Sequence, residues 1–155
     1  MEEQEVLAVQ TEPNTQVTPR QTLKLLAQIG KHKVLLLVDS GSIGTFVSEQ
    51  LVSHLKLKTT ACEATTYKAA DGGLMLCDQK VTQLPWFIQG HKFVSNAKVL
   101  PLKCYDLVLG EDWLEDCSPL LIDYKLKTMQ FMYQGKTIKL QGVVNDSTHC
   151  NPISA

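Results

Sequence analysis

The stretch that decides the fold is VLLLVDSGS, residues Val34–Ser42. Its first five residues are aliphatic on both faces, which is typical of a strand inside a β-sheet. The strand leads into Asp39, whose charged carboxylate is costly to bury unless it is paired or hydrogen-bonded. Gly41 allows a tight turn and leaves its N–H free to face that carboxylate, while Ser40 and Ser42 offer hydroxyls to the loop. On its own this stretch fits an ordinary turn capped by aspartate at least as well as an acid held for chemistry, and a second feature of the sequence favours the acid.

A second stretch, Tyr105–Gly110 (YDLVLG), repeats this order of apolar strand and glycine, and a short helix candidate follows at Glu111–Glu115. Two such elements about 70 residues apart are what a crossed-loop active site needs, because one supplies the acid and the other braces it. We expect Leu109 and Gly110 to form the structural brace. Two buried strands that both happen to end at glycine are the alternative.

The rest of the chain is patterned mostly as β-hairpins. Asp71-Gly72-Gly73 predicts a hairpin over about 65–78, with its tip at 71–73. Gln89-Gly90 predicts another turn, between strands at about 80–88 and 91–100, and Pro85 indicates that its strand is an edge or is interrupted. A last hairpin is predicted over 129–143, with its turn near Gly135.

After Gly44 the apolar period becomes helical, with Thr45 as a candidate N-cap. The residues of this stripe are Phe46, Val47, Leu51, Val52 and Leu55. Many short strands with one or two helices predict a mostly-β single domain, barrel-like or sandwich-like, over residues 21–143. Residues 1–20 are rich in Glu and predict a disordered acidic leader, and residues 144–155 predict a disordered tail.

Composition excludes several classes of protein. The 155 residues suit one domain, and 44% apolar and 20% charged residues are ordinary globular values. A net charge of −1 with Arg20 as the only arginine argues against a nucleic-acid partner. The longest aliphatic run has five residues, so we expect no membrane partner, and the acidic N-terminus does not read as a signal peptide. These features predict a cytoplasmic location.

The five cysteines, an odd number without a CxxC pair, are interpreted as free thiols in a reducing compartment. Their spacing does not fit a structural zinc site, so we predict no metal and no cofactor.

The two motifs, VDSGS at 38–42 with Phe46-Val47-Ser48 after it and YDLVLGEDWL at 105–114, resemble a known family. They are similar to the retropepsin-like aspartic proteases of Ty3/Gypsy-type LTR retrotransposon polyproteins, especially those of plants. The resemblance covers roughly residues 21–143, and both motifs in order, with a glycine-containing hairpin between them, make the combination fairly specific. It implies a closed β-barrel of the acid-protease type and a homodimeric aspartic endopeptidase that cleaves a polyprotein, in the cytoplasm or within virus-like particles.

The resemblance also implies roles for single residues. Asp39 would be the catalytic aspartate, and Ser40 would brace the loop by hydrogen bonding across the dimer axis. Gly41 would present its amide to the carboxylate, and Ser42 would hydrogen-bond the outer carboxylate oxygen. The 65–78 hairpin would be the flap that closes over substrate. Its predicted substrate-binding residues are Asp71, Gly72 and Gly73.

Some features depart from the family. Glu111 stands where many relatives have an apolar residue, often Met, and the flap tip is acidic. No zinc knuckle precedes the domain and no reverse transcriptase start follows it, so we expect an excised protease segment, a truncated element or a host gene derived from one. A non-catalytic dimerisation or peptide-binding module with the same fold is the alternative to an enzyme.

Overall fold

A computed structural model gives the structure of the chain and describes residues 3–5, 22–69 and 72–144. Most of the predicted leader (1–20) and tail (144–155), together with Asp71 of the predicted flap tip, lies outside the described residues. Within the leader, Glu3–Glu5 form a strand, which differs from the disorder predicted there. In the described ranges, no helix combines the length and the apolar character that crossing a membrane requires.

The described residues form eleven strands and two helices. The strands are β1 (Glu3–Glu5), β2 (Thr22–Ile29), β3 (His32–Asp39), β4 (Phe46–Ser48), β5 (Thr60–Lys68), β6 (Leu74–Ile88), β7 (His91–Leu100), β8 (Leu107–Leu109), β9 (Leu120–Asp123), β10 (Thr128–Tyr133) and β11 (Lys136–Gln141). The helices are α1 (Glu49–Leu55) and α2 (Glu111–Asp116).

Six strands close into a barrel. Their order is β6-β2-β3-β8-β4-β7, and β7 pairs again with β6, so the ring has no open edge. Strand β5 pairs with the first part of β6, outside the ring, and β1 runs parallel to β5. Strands β9, β10 and β11 form a separate three-stranded sheet. The predicted mostly-β single domain, a closed barrel with two short helices, is confirmed.

Buried side chains of the barrel and of the three-stranded sheet hold β3 and α2 in position. Strand β3 lies between β2 and β8 and is buried along Leu36, Leu37 and Val38, as its apolar run predicts. Trp113 of α2 packs against Phe93 of β7, with ring centroids 6.0 Å apart, and against Phe131 of β10 at 5.5 Å. Each such buried side chain contributes about 1.5–3 kcal/mol. The aromatic packing therefore anchors the helix that follows the second motif.

The first helix begins later than the apolar stripe predicts. Phe46 and Val47 belong to β4, which pairs with β7 and β8, and α1 starts at Glu49. Two adjacent apolar residues fit a strand and a helix equally well, and here the tertiary pairing decides. The N-cap is Ser48, whose hydroxyl accepts from the N–H groups of the first turn, and Thr45 lies before the strand.

The predicted hairpins are present with small differences. The turn at 89–90 joins β6 to β7, and the last hairpin is β10–β11. Pro85 lies within the unbroken strand β6, paired with Val94, and the strand's irregularity comes just before it, as a register shift between Val81 and Leu84 where Gln83 has φ +55°. Strand β9 was not predicted, because four residues are too few to show a clear alternation.

The cysteine interpretation needs one correction. Cys62, Cys77 and Cys117 are free thiols, but Cys104 is disulfide-bonded. An odd number of cysteines guarantees only that one is unpaired, and it leaves room for a bridge.

Candidate active site

Asp39 ends β3 and is fully buried, whereas the next two residues, Ser40 and Gly41, are exposed. The N–H of Gly41 donates to Asp39 Oδ1 at 2.8 Å. The N–H of Ser42 donates to the Asp39 carbonyl oxygen at 3.1 Å, which closes a tight turn. The carboxylate is therefore held in one orientation by backbone, at a point where the chain reaches the surface.

The second motif packs directly on this turn. Strand β8 runs parallel to β3, with Leu109 opposite the last apolar residue of β3, so that Gly110 lies beside the start of the Asp39 turn. A Cβ atom on Gly110 would lie 2.7 Å from the Ser42 carbonyl oxygen and closer still to that of Gly44, so only glycine fits here. The N–H of Glu111 donates to the Ser42 carbonyl oxygen at 3.0 Å. Gly110, directly after Leu109 at the end of β8, is therefore packed against the loop that follows Asp39.

The side chains of the loop make bonds that sequence reasoning did not predict. Ser42 is buried, and its hydroxyl donates to the Gly44 carbonyl oxygen at 2.8 Å, which differs from the carboxylate bond implied for it. A hydroxyl has one proton, so this bond uses the donor that Asp39 would need. Thr45 donates to Asp112 Oδ1 at 2.7 Å, a second tie between loop and α2.

The predicted flap is the hairpin of β5 and β6. Its tip closes with hydrogen bonds from Ala69 N–H to the Gly73 carbonyl oxygen at 2.8 Å and from Gly72 N–H to the Ala69 carbonyl oxygen at 3.0 Å. Gly72 has φ +89°, which explains a glycine at this position. Gly72 and Gly73 are exposed, and Asp71 lies outside the described residues.

Two acids of the second motif already accept hydrogen bonds from other parts of the chain. Asp106 is buried, and its Oδ2 accepts from the N–H of Leu35 at 2.7 Å. Burial raises the pKa of this carboxyl, and the bond from Leu35 opposes the rise. Asp112 Oδ1 accepts from Thr45 and also from the N–H of Trp113, at 2.8 Å. In the described part of the chain, no group of three or more His, Cys, Asp or Glu residues could hold a metal ion.

A cavity lies on each side of the Asp39 turn. One, of about 440 Å³, lies beside Ser40 and is lined by Val38, Leu114 and residues of β9. The other, of about 300 Å³, lies beside Ile43 and Gly44. It is also lined by Tyr67 of β5 together with Lys80, Asn96, Lys98 and Asp112.

Sequence reasoning missed the residues of this second cavity. Tyr67 is 1% exposed and contacts Phe46 edge to face, with ring centroids 5.0 Å apart. Lys98 Nζ donates to the Tyr67 hydroxyl oxygen at 3.1 Å, and this bond raises the pKa of Lys98. The available signal was an aromatic residue in a polar strand, and it becomes informative only once Tyr67 of β5 is known to lie beside Lys98 of β7.

Comparison with known proteins matches the chain to one family model and to solved structures. The family model described as the PEG10/RTL1 protease domain matches residues 35–137, well over half of the chain. Among solved structures, the retroviral protease-like domain of Ddi1 from Leishmania major is 16% identical, with a TM-score of 0.61 over 82% of this chain and 98% of that one. A retropepsin-like aspartic protease from Rickettsia conorii is 20% identical, with a TM-score of 0.46 over 69% and 95%. No curated protein sequence matches the chain.

Proposed function

The chain belongs to the PEG10/RTL1 protease domain family, and we propose that it is an aspartic endopeptidase that acts as a homodimer with one Asp39 per subunit. One observation carries the proposal: the fully buried Asp39 carboxylate is held by the Gly41 N–H, in a turn braced by Gly110. A turn that only reversed the chain would need neither the burial of a carboxylate nor a glycine pressed against it.

The second carboxylate of the reaction would come from a second copy. Hydrolysis of an amide by this chemistry needs two carboxyl groups close enough to share one proton. The sequence has one Asp-Ser-Gly, and the nearby acids Asp106 and Asp112 are bonded to Leu35 and Thr45. The exposed Ser40 and the groove beside it, rimmed by Leu121 with 67% of its surface exposed, offer a surface for that copy.

In the dimer, the ionised Asp39 of one subunit would accept a proton from a water molecule placed between the two carboxylates. That water attacks the scissile carbonyl carbon while the protonated carboxyl of the other subunit donates to the carbonyl oxygen. As the amide bond breaks, the first Asp39 would give the proton that it took from water to the leaving nitrogen. The second Asp39 would take a proton back from a hydroxyl of the tetrahedral intermediate, which leaves a carboxylic acid and restores the shared proton. The Gly41 N–H keeps the base pointed at the water throughout.

The substrate we propose is a polypeptide, specifically a retrotransposon-type polyprotein, with the flap hairpin closing over it. We propose that the reaction takes place in the cytoplasm, or within virus-like particles that contain such a polyprotein. The similarity to plant Ty3/Gypsy-type elements stays a prediction.

The test is cleavage of a quenched fluorescent peptide pool at mildly acidic pH, with and without pepstatin. Replacing Asp39→Asn keeps the size of the side chain and removes the base, so we expect turnover to fall by about 10³-fold. Equal turnover by the wild type and Asp39→Asn would overturn the proposal.

Mixing wild type with inactive Asp39→Asn tests the dimer separately. If each active site takes one aspartate from each subunit, mixed dimers lack the pair, and excess variant should suppress wild-type turnover. An active monomer would be unaffected by the variant. A protein that forms dimers and binds peptides without cleaving them would instead be the non-catalytic module.

A further inference from the structure

The cavity between the flap and the Asp39 turn has an unusual arrangement of charge. It is bounded by Ile43 and Gly44, just after the catalytic turn, and by Tyr67 of the flap strand β5. Lys80 and Lys98 also line it, so this cavity is called the lysine pocket here. The lysine pocket thus lies between a residue of the flap strand and the loop that follows Asp39.

The two lysines are direct cross-strand partners. Lys80 of β6 is paired in register with Lys98 of β7, on neighbouring antiparallel strands. Like charges directly opposite one another in a sheet are destabilising, because their side chains start only about 5 Å apart. Among residues 22–69 and 72–144, no carboxylate forms an ion pair with either of them. A carboxylate between the two ammonium groups would relieve the repulsion.

The other walls of the lysine pocket can also donate hydrogen bonds. The Tyr67 oxygen accepts from Lys98, so its own proton remains available for another acceptor. The Asn96 side-chain oxygen accepts from the N–H of Gln83 at 2.8 Å, which leaves its amide nitrogen as the donor. The one acid in the lining, Asp112, already receives two hydrogen bonds on Oδ1. The pocket therefore has more positive charge than negative and several donors.

We propose that the lysine pocket binds the carboxylate of an aspartate or glutamate side chain of the substrate, near the bond that is cut. Lys80 and Lys98 neutralise the charge, and the Tyr67 hydroxyl donates to one oxygen. This rests on the proposed function, since it assumes that a peptide lies between the flap and the Asp39 turn. It adds a substrate class: polypeptides with an acidic residue close to the cleavage site.

The test compares peptide pools in which each position in turn is fixed as Glu, Gln or Lys. At one position, we expect wild type to cleave the Glu pool about tenfold faster than the Gln pool, equivalent to about 1.4 kcal/mol, with a smaller ratio at high salt. Lys80→Glu and Lys98→Glu should abolish this preference and favour the Lys pool. Lys139→Glu, on exposed β11 outside the pocket, makes the same charge change and should leave the ratio unaltered.

A second readout does not need catalysis. Fluorescein-labelled Glu and Gln peptides are titrated with the Asp39→Asn variant and followed by anisotropy. Cleavage by wild type with no Glu preference would overturn the pocket and leave the endopeptidase standing. Glu-selective binding that Lys80→Glu removes, with no cleavage by wild type, would support the pocket and overturn the enzyme. Neither cleavage nor selective binding would overturn both.

Discussion

Replacing Gly110→Ala tests whether the second motif holds the Asp39 turn in place. The added Cβ would lie 2.7 Å from the Ser42 carbonyl oxygen and closer to that of Gly44, and both are backbone atoms that cannot swing aside. The obstacle is purely steric, because φ −108° at this position is open to any residue. The loop would have to retreat by roughly 1 Å, and the bond from Glu111 N–H to the Ser42 oxygen would stretch or break.

We expect the two effects to sum to about 3 kcal/mol, with about 1–3 from overpacking and about 1 from the lost hydrogen bond. Urea unfolding measures this directly, and for a chain of this size the melting temperature should fall by about 6–12 °C. Peptide cleavage should fall by about 10²-fold, since a shift of about 1 Å in a catalytic group has an effect of that order.

The matched control is Gly44→Ala, the same change in the facing loop. A Cβ there would meet only the ring of Phe46, at 3.8 Å, so we expect stability within about 0.5 kcal/mol of wild type. The reasoning is refuted if Gly110→Ala unfolds at the wild-type urea concentration. It is also refuted if both variants lose the same stability, because the close contact at Gly110 would then not be the cause.

Three further changes test other parts of the structure. Ser48→Ala removes the buried hydroxyl that caps α1 and should cost about 1 kcal/mol in urea unfolding, and no loss would show that the hydroxyl does not stabilise the helix. Burial raises the pKa of Asp106, so at neutral pH the folded protein must hold a carboxylate whose charge is unfavourable there. Asp106→Asn can still accept from the Leu35 N–H and should therefore have at least the wild-type free energy of unfolding at neutral pH. The difference in free energy should shrink as acid protonates Asp106. By contrast, Asp106→Leu strands that N–H and should cost about 1–3 kcal/mol, so equal stability of the two variants would contradict the argument. Burial, helped by the charge of Asp116, raises the pKa of the Cys117 thiol to about 12, which makes it a poor nucleophile. Iodoacetamide should therefore modify the half-buried Cys62 before Cys117 in native protein and both at equal rates in urea, which mass spectrometry measures.

The sequence predicted those parts of the fold whose signals are local. The aliphatic run of β3, the glycine turns of the hairpins and the glycine after β8 each follow from a few adjacent residues. The start of α1 was predicted wrongly because Phe46 and Val47 suit both a strand and a helix, and only pairing with β7 and β8 separates the two. The short β9 and the pairings of β3 with β8 and of β4 with β7 depend on contacts between distant residues, which single-sequence patterns do not contain.

The site follows the same division. Asp39 and its turn could be read from adjacent residues, and so could a second glycine motif that would brace it. The hydrogen-bond acceptor of the Ser42 hydroxyl could not be predicted in this way, because the Gly44 carbonyl oxygen and the Asp39 carboxylate both lie within a few residues of it. The backbone geometry of the loop decides which of the two accepts the bond. The cross-strand pairing of Lys80 with Lys98 could not be predicted either, because the two are 18 positions apart in the sequence and a register shift lies between them.

The Asp39 turn has two sides, and this division constrains how the protein could change specificity. Ser40, directly after Asp39, lines the groove with Leu114 and residues of β9. We have proposed this groove as the surface for the second copy. Ile43 and Gly44, after it, face the lysine pocket. The two cavities have no lining residue in common. Both nevertheless border the Asp39 loop and α2, which contributes Leu114 to one and Asp112 to the other, and the loop and the helix meet at Gly110. This is why Gly110, rather than a residue of either cavity, should be the least replaceable position after Asp39 itself.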